Sequence, residues 1–207
     1  MRRAALVLLL AALAPGALAH DGVVHATPEE ARAHAAATAQ GLPLPLNLGG
    51  PFRLTDQHGM ARTEADPQGH MQILFFGYAT CQEICSAALP QMADVAAGLA
   101  TRGVPVTPLM ITVDPARDTL PAMKASLAKF GPGFLGLTGD AAALEAAYDL
   151  FQIETVKVFD DPESGPVYAH GSFLYLLDGQ GRFLTVIPPI LPDDRVIDMI
   201  SAYAPAG

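Results

Sequence analysis

The sequence predicts an α/β fold, a mixed central sheet flanked by helices. Three observations carry that expectation. An unbroken apolar run spans Met71 to Tyr78, alanine-rich segments with helical character follow it, and Asp178-Gly179-Gln180-Gly181 separates two apolar runs near the C-terminus. A continuous apolar run suits a strand buried on both faces. A glycine-rich turn between two such runs is a hairpin signal. The chain has 207 residues, 51% of them apolar and 16% charged. That is enough apolar material for one substantial core without reliance on disulfides.

In chain order, residues 1–19 have the form of a secretory signal. Arg2 and Arg3 precede a short apolar stretch, Ala4 to Leu13, and Ala17-Leu18-Ala19 makes a cleavage site. The stretch is short for a membrane span and Pro15-Gly16 interrupts it, so cleavage is expected. Export places the mature chain in the periplasm; an uncleaved leader would tether it to the inner membrane. Cleavage removes both arginines and moves the formal charge from −9 to −11. So acidic a surface argues against nucleic acid as a partner.

Residues 20–50 read as a mobile N-terminal segment and linker. Thr27-Pro28-Glu29-Glu30 has the pattern of a capped helix start. The helix it opens, through Gln40, is mostly alanine and has little to bury. Gly41 to Pro51 is rich in proline and glycine and reads as an extended linker. The folded domain is expected over residues 51–207. It begins with an N-terminal hairpin extension, Phe52 to Thr55 and Met60 to Thr63, around Asp56-Gln57-His58-Gly59.

The first core strand is Met71 to Tyr78. A helix follows over Ala87 to Ala100, then a strand over Val104 to Val113. Asp114, Arg117 and Asp118 read as a structural turn and helix cap before a helix over Leu120 to Phe130, which Gly131-Pro132-Gly133 stops. Asp140 caps a helix running to Leu150. Ile153 to Phe159 is a strand, Asp160 to Gly165 a turn, and Ser172 to Leu177 with Phe183 to Ile187 a hairpin. A last helix follows Pro192-Asp193-Asp194 and ends near Tyr203. This order, a βαβ half and a ββα half, is the thioredoxin-like arrangement. It puts the junction after the first core strand at the carboxyl edge of the sheet, where open α/β sheets bind ligands.

At that junction stand the only two cysteines, Cys81 and Cys85. A helix N-terminus favours thiolate over thiol. Cysteines at i and i+4 share one helical face, with Cα atoms about 6 Å apart, within reach of a disulfide. They could equally share one metal ion, and thiolates select soft metals, Cu(I) among them. Two cysteines are too few for an all-thiolate zinc site, so a third ligand must come from elsewhere. Six histidines are available. His20, His25 and His34 lie in the N-terminal segment, His58 in a turn and His70 before the core strand. His170 precedes the strand Phe173 to Leu177, in a loop that the expected fold turns toward the thiols. Two thiolates and one imidazole suit Cu(I) or, with a fourth ligand, Cu(II). A structural disulfide is the plain alternative. Closing so small a ring stabilises by only about 2 kcal/mol.

Gly77-Tyr78-Ala79-Thr80-Cys81-Gln82-Glu83-Ile84-Cys85 resembles the copper-binding motif of the Sco/SenC family. The resemblance continues in Phe52 to Gly59, in Thr112-Val113-Asp114-Pro115-Ala116-Arg117-Asp118-Thr119, in Phe134 to Gly139, and in His170 with Tyr175 to Asp178. It covers residues 50 to 204. It implies a thioredoxin-like domain that binds copper, as Cu(I) and Cu(II), and helps assemble the dinuclear copper centre of cytochrome c oxidase. The family's ligands fall on Cys81, Cys85 and His170. The implied partners are the copper-centre subunit of the oxidase and another periplasmic copper chaperone or thiol reductant. Many members carry aspartate directly before the histidine, where it can orient the ligand; this chain has Ala169. The same cysteines could instead serve as a catalytic redox pair in a thiol–disulfide oxidoreductase. Their three-residue spacer departs from the Cys-X-X-Cys of dedicated oxidoreductases.

Overall fold

The computed structural model describes residues 18–20, 23–25, 47–79, 85–163 and 165–204, with the backbone alone at 18–20, 23–25 and Cys85. The chain divides into two compact units, Met1–Asn47 and Leu48–Gly207. In the first, β1 (Leu18–His20) and β2 (Val23–His25) pair antiparallel. Most of the leader, the expected helix to Gln40, Cys81 and Glu83 lie outside the described residues.

The second unit is built on a seven-stranded sheet. In chain order its strands are β3 (Arg53–Asp56), β4 (Ala61–Thr63), β5 (Met71–Gly77), β6 (Val106–Thr112), β7 (Leu135–Thr138), β10 (Leu174–Leu177) and β11 (Phe183–Ile187). Their spatial order is β11-β10-β5-β6-β7-β3-β4. Strands β5, β6 and β7 run parallel, while β10 and β3 flank them antiparallel. This is the mixed sheet expected from the sequence, and the hairpin β3–β4 extends it through β7.

Every residue of β5 is buried, because β5 has a strand on each side and helices over both faces. Ile73 and Phe75 pack beneath α1 (Cys85–Thr101), α2 (Leu120–Leu127) and α4 (Asp193–Ser201), through Met92, Leu127 and Val196 among others. Leu74 and Phe76 face α3 (Ala141–Phe151) through Leu144, Ala147 and Phe151. Asp140 caps α3 as expected, its Oδ1 accepting from the Ala143 amide at 2.8 Å.

Four local expectations need correction. Strand β7 is not among the expected elements; it has only four residues, one of them Gly136, so its apolar pattern is too short to register. The strand expected at Ile153 to Phe159 is β8 (Val156–Asp161). It pairs with β9 (Gly165–Ala169) in a separate two-stranded ribbon and not with the central sheet. The segment expected as turn and loop after Asp160 contributes β9, masked in the sequence by Gly165 and Pro166. The helix over Leu120 to Phe130 ends its α-helical part at Leu127 and tightens to a 3₁₀ turn over Ala128–Phe130.

Candidate metal centre

Strand β5 ends at Gly77, followed by Tyr78 and Ala79. Helix α1 opens at Cys85, so the Cys85 backbone stands at a helix N-terminus. Cys81 lies outside the described residues, as does the side chain of Cys85.

His170 follows β9 and precedes β10. Its partly buried ring meets the Phe75 ring edge-on at 5.6 Å and the Tyr78 ring edge-on at 6.0 Å. Tyr78 is three residues before Cys81. The fold therefore brings the imidazole to the end of the strand that leads into the thiol pair. His170 Nδ1 lies 2.9 Å from the Gly171 carbonyl oxygen. A carbonyl only accepts, so Nδ1 is the donor in this contact, and in the neutral ring the lone pair is then at Nε2. Metal-ligating histidines are commonly oriented by such a bond from the non-ligating nitrogen. Position 169 is alanine, and the backbone of Gly171 holds the ring.

The turn over residues 114–118 reaches the same edge. Thr119 caps α2, its Oγ1 accepting from the Ala122 amide at 3.4 Å, so the cap expected among Asp114, Arg117 and Asp118 falls one residue later. Asp118 turns inward and is 1% exposed. Its carboxylate accepts from the Ala79 amide at 3.0 and 3.2 Å and from Thr112 Oγ1 at 2.7 Å. Burial pushes this carboxyl above the usual carboxylate range, Asp114 adds to the rise, and the Thr112 and Ala79 bonds with the Arg117 charge oppose it.

Arg117 binds Asp114 through Nε. Its Nη2 donates to the Pro166 carbonyl at 2.6 Å, and its guanidinium carbon sits 5.3 Å from the centroid of the Tyr78 ring. Tyr148 hydroxyl donates to the Thr112 carbonyl at 2.6 Å. Burial, with the charges of Asp114 and Asp118 nearby, pushes its phenol up to about 12. Nothing local in the sequence marks the Asp118–Ala79 and Arg117–Pro166 contacts, because the partners stand 39 and 49 residues apart.

The other described histidine side chains sit at the opposite edge. His70 lines a cavity of about 360 Å³ with Arg62 and Thr107, and His58 lines one of about 310 Å³ with Lys124 and Phe134. Of His20 and His25 only the backbone is described, in β1 and β2, and His34 lies outside the described residues.

The family model described as SCO1/SenC matches residues 41–205. The SCO2-like protein of Rickettsia conorii is 34% identical over 140 residues, covering 67% of this chain and 68% of the relative. The structure of Bradyrhizobium japonicum ScoI with copper bound is similar at a TM-score of 0.68 and 30% identity, over 76% of this chain and 99% of that one. Arabidopsis thaliana ScoI with copper bound is similar at a TM-score of 0.70 and 27% identity, over 75% and 96%.

Proposed function

The chain belongs to the SCO1/SenC family, and from that premise we propose that it is a periplasmic copper-binding metallochaperone. Its task is to deliver copper to, or prepare, the dinuclear copper centre of cytochrome c oxidase. Cys81, Cys85 and His170 hold the ion. The observation that carries this reading is the packing of His170 against Tyr78, three residues before Cys81, with Nδ1 committed to a carbonyl and the lone pair at Nε2. Copper bound to the similar proteins of Bradyrhizobium japonicum and Arabidopsis thaliana supports the choice of metal. The periplasmic address rests on the leader sequence, residues 1–19.

Copper is cargo here. Two thiolates and one imidazole satisfy Cu(I) at low coordination number, and a fourth ligand would accommodate Cu(II). A thiolate at Cys85 is favoured by the place of its backbone at the N-terminus of α1. Retention of the ion depends on the reduced pair: disulfide formation removes two electrons and two protons from Cys81 and Cys85, and with them both sulfur ligands. A thiol reductant returns the site to its copper-binding form. The family suggests the partners: the oxidase copper-centre subunit as recipient, with another periplasmic copper chaperone as copper donor or a thiol reductant for the cysteine pair.

The decisive experiment loads the reduced mature protein with Cu(I) anaerobically and measures copper after desalting. One ion per chain is expected, with loss in Cys81→Ala and marked weakening in His170→Ala. Wild-type protein that retains no copper, and so behaves like Cys81→Ala, defeats the reading. If wild-type protein retains no copper and His170→Ala leaves reduction of an oxidised target intact, the same pair acts as a thiol–disulfide oxidoreductase instead.

A further inference from the structure

Two adjacent residues on the 114–118 turn each hold one of the two segments that carry the proposed ligands. Asp118 accepts from the Ala79 amide, two residues before Cys81. Arg117 donates to the Pro166 carbonyl of β9, four residues before His170. Asp118 is itself fixed from the sheet by Thr112 Oγ1, which also accepts from the Asp114 amide at 2.9 Å. Asp114 in turn grips the Arg117 guanidinium. The guanidinium lies over the Tyr78 ring, and the Tyr78 ring meets both His170 and Tyr168 of β9, the latter at 5.8 Å.

The chain makes room for this arrangement. Gly165 opens β9 with φ +79°, and a Cβ there would stand 2.8 Å from Arg117 Nη1. Any larger residue would crowd the guanidinium away from the ribbon. Arg117 also supplies what the ribbon lacks, since among the described residues β8 and β9 pair with each other and not with the central sheet.

We propose that Arg117, braced by Asp114, is a positioning residue that sets the distance of His170 from the thiol pair, while Asp118 fixes the thiol-bearing segment from the same turn. The proposal rests on the copper reading above. Arg117 acts by tying β9, and so His170, to the body that carries β5. Loss of the tie leaves both thiolates in place and withdraws the imidazole from its fixed approach. The expected signature is specific. Copper that needs three ligands in one geometry suffers, and copper held by two sulfurs alone suffers less. A planar guanidinium serves carbonyl and aromatic ring together, which an ammonium does not match.

The test compares wild type, Arg117→Gln, Arg117→Lys, Gly165→Ala and His170→Ala in the mature protein. The readouts are the Cu(II) spectrum, in sulfur-to-copper absorption and electron paramagnetic resonance, and Cu(I) affinity by competition with a chromophoric chelator. Folding is checked by circular dichroism. Expected for Arg117→Gln is a shift of the Cu(II) spectrum toward that of His170→Ala and a loss of about tenfold or more in Cu(II) affinity. Cu(I) affinity should fall less, and Arg117→Lys should recover part of the spectrum. Gly165→Ala crowds the guanidinium from the ribbon side, strains the β9 backbone at φ +79° and leaves the 114–118 turn unsubstituted, so it carries the test if Arg117→Gln fails to fold. Wild-type spectra and affinities in both Arg117→Gln and Gly165→Ala overturn the proposal while leaving the copper reading standing. Wild-type protein that binds no copper overturns the copper reading and this proposal with it.

Discussion

Two antiparallel pairs flank His170, and they are opposites. Before it, the β8–β9 ribbon stands apart: Val156, Val158 and Phe159 are each more than half exposed. After it, every residue of β10 is buried, and β10 is bonded to β5 on one side and β11 on the other. Strand β8 carries Lys157, Asp160 and Asp161, whereas β10 is Leu-Tyr-Leu-Leu, so side-chain character already separates them. A second difference is where the other edge of each pair goes. β10 completes a sheet that helices cover, whereas the ribbon reaches the body through Arg117 and the Tyr78–Tyr168 contact. A histidine at that boundary has one neighbour fixed by the core and one fixed by a few side chains.

The contrast can be broken most forcefully in β10. Leu176→Ala should cost about 2–5 kcal/mol, because Leu176 is fully buried and the cavity cannot collapse between β5 and β11. Val158→Thr, at the exposed bulge of β8, should stay within about 0.5 kcal/mol. Urea denaturation of both variants checks the pair. Equal costs would mean that the ribbon is as much a part of the cooperative unit as the sheet.

A smaller effect sharpens the comparison between the two carboxylate turns of the sheet. Asp56 accepts from the His58 and Met60 amides and from Arg62 Nε; Asp178 accepts from the Gln180 and Arg182 amides and from Arg182 Nε. Burial pushes both carboxyls up, but these bonds and the arginine charges outweigh it and hold both below the ordinary 3.8. A lowered folded-state value means stability that is complete above pH 3.8 and lost as pH falls through that lower value. Asp56 is fully buried whereas Arg182 is 80% exposed. Asp56→Asn should therefore cost about 1–3 kcal/mol at neutral pH and flatten the acid limb of a melting-temperature profile. Asp178→Asn should cost less than about 1 kcal/mol, since its arginine pair is screened by water.

These turns also show what could be read from the sequence. Asp56-Gln57-His58-Gly59 and Asp178-Gly179-Gln180-Gly181 are local signals, and both turns form where they stand. The seven buried residues of β5 were legible for the same reason, as an unbroken apolar run. Strand β7 was not, with four residues and a glycine, because it is made a strand by β6 and β3 rather than by its own pattern. The placement of Asp118 was not legible either. Its partner Ala79 lies across the sheet edge, and a buried aspartate looks in sequence like any helix-capping one. His170 by itself resembled any loop histidine; the family pattern singled it out, and the fold then put its ring on Tyr78.

That aromatic contact has an optical side. The chain has no tryptophan and five tyrosines, so its near-ultraviolet emission is tyrosine's alone. Tyr148 and Tyr175 lie in the core beside Phe76, and Tyr203 follows α4. Tyr78 and Tyr168 form the pair beside the imidazole. Two of the five emitters thus stand next to His170, and the protein carries an intrinsic, label-free reporter at the one place where its cargo is expected to arrive.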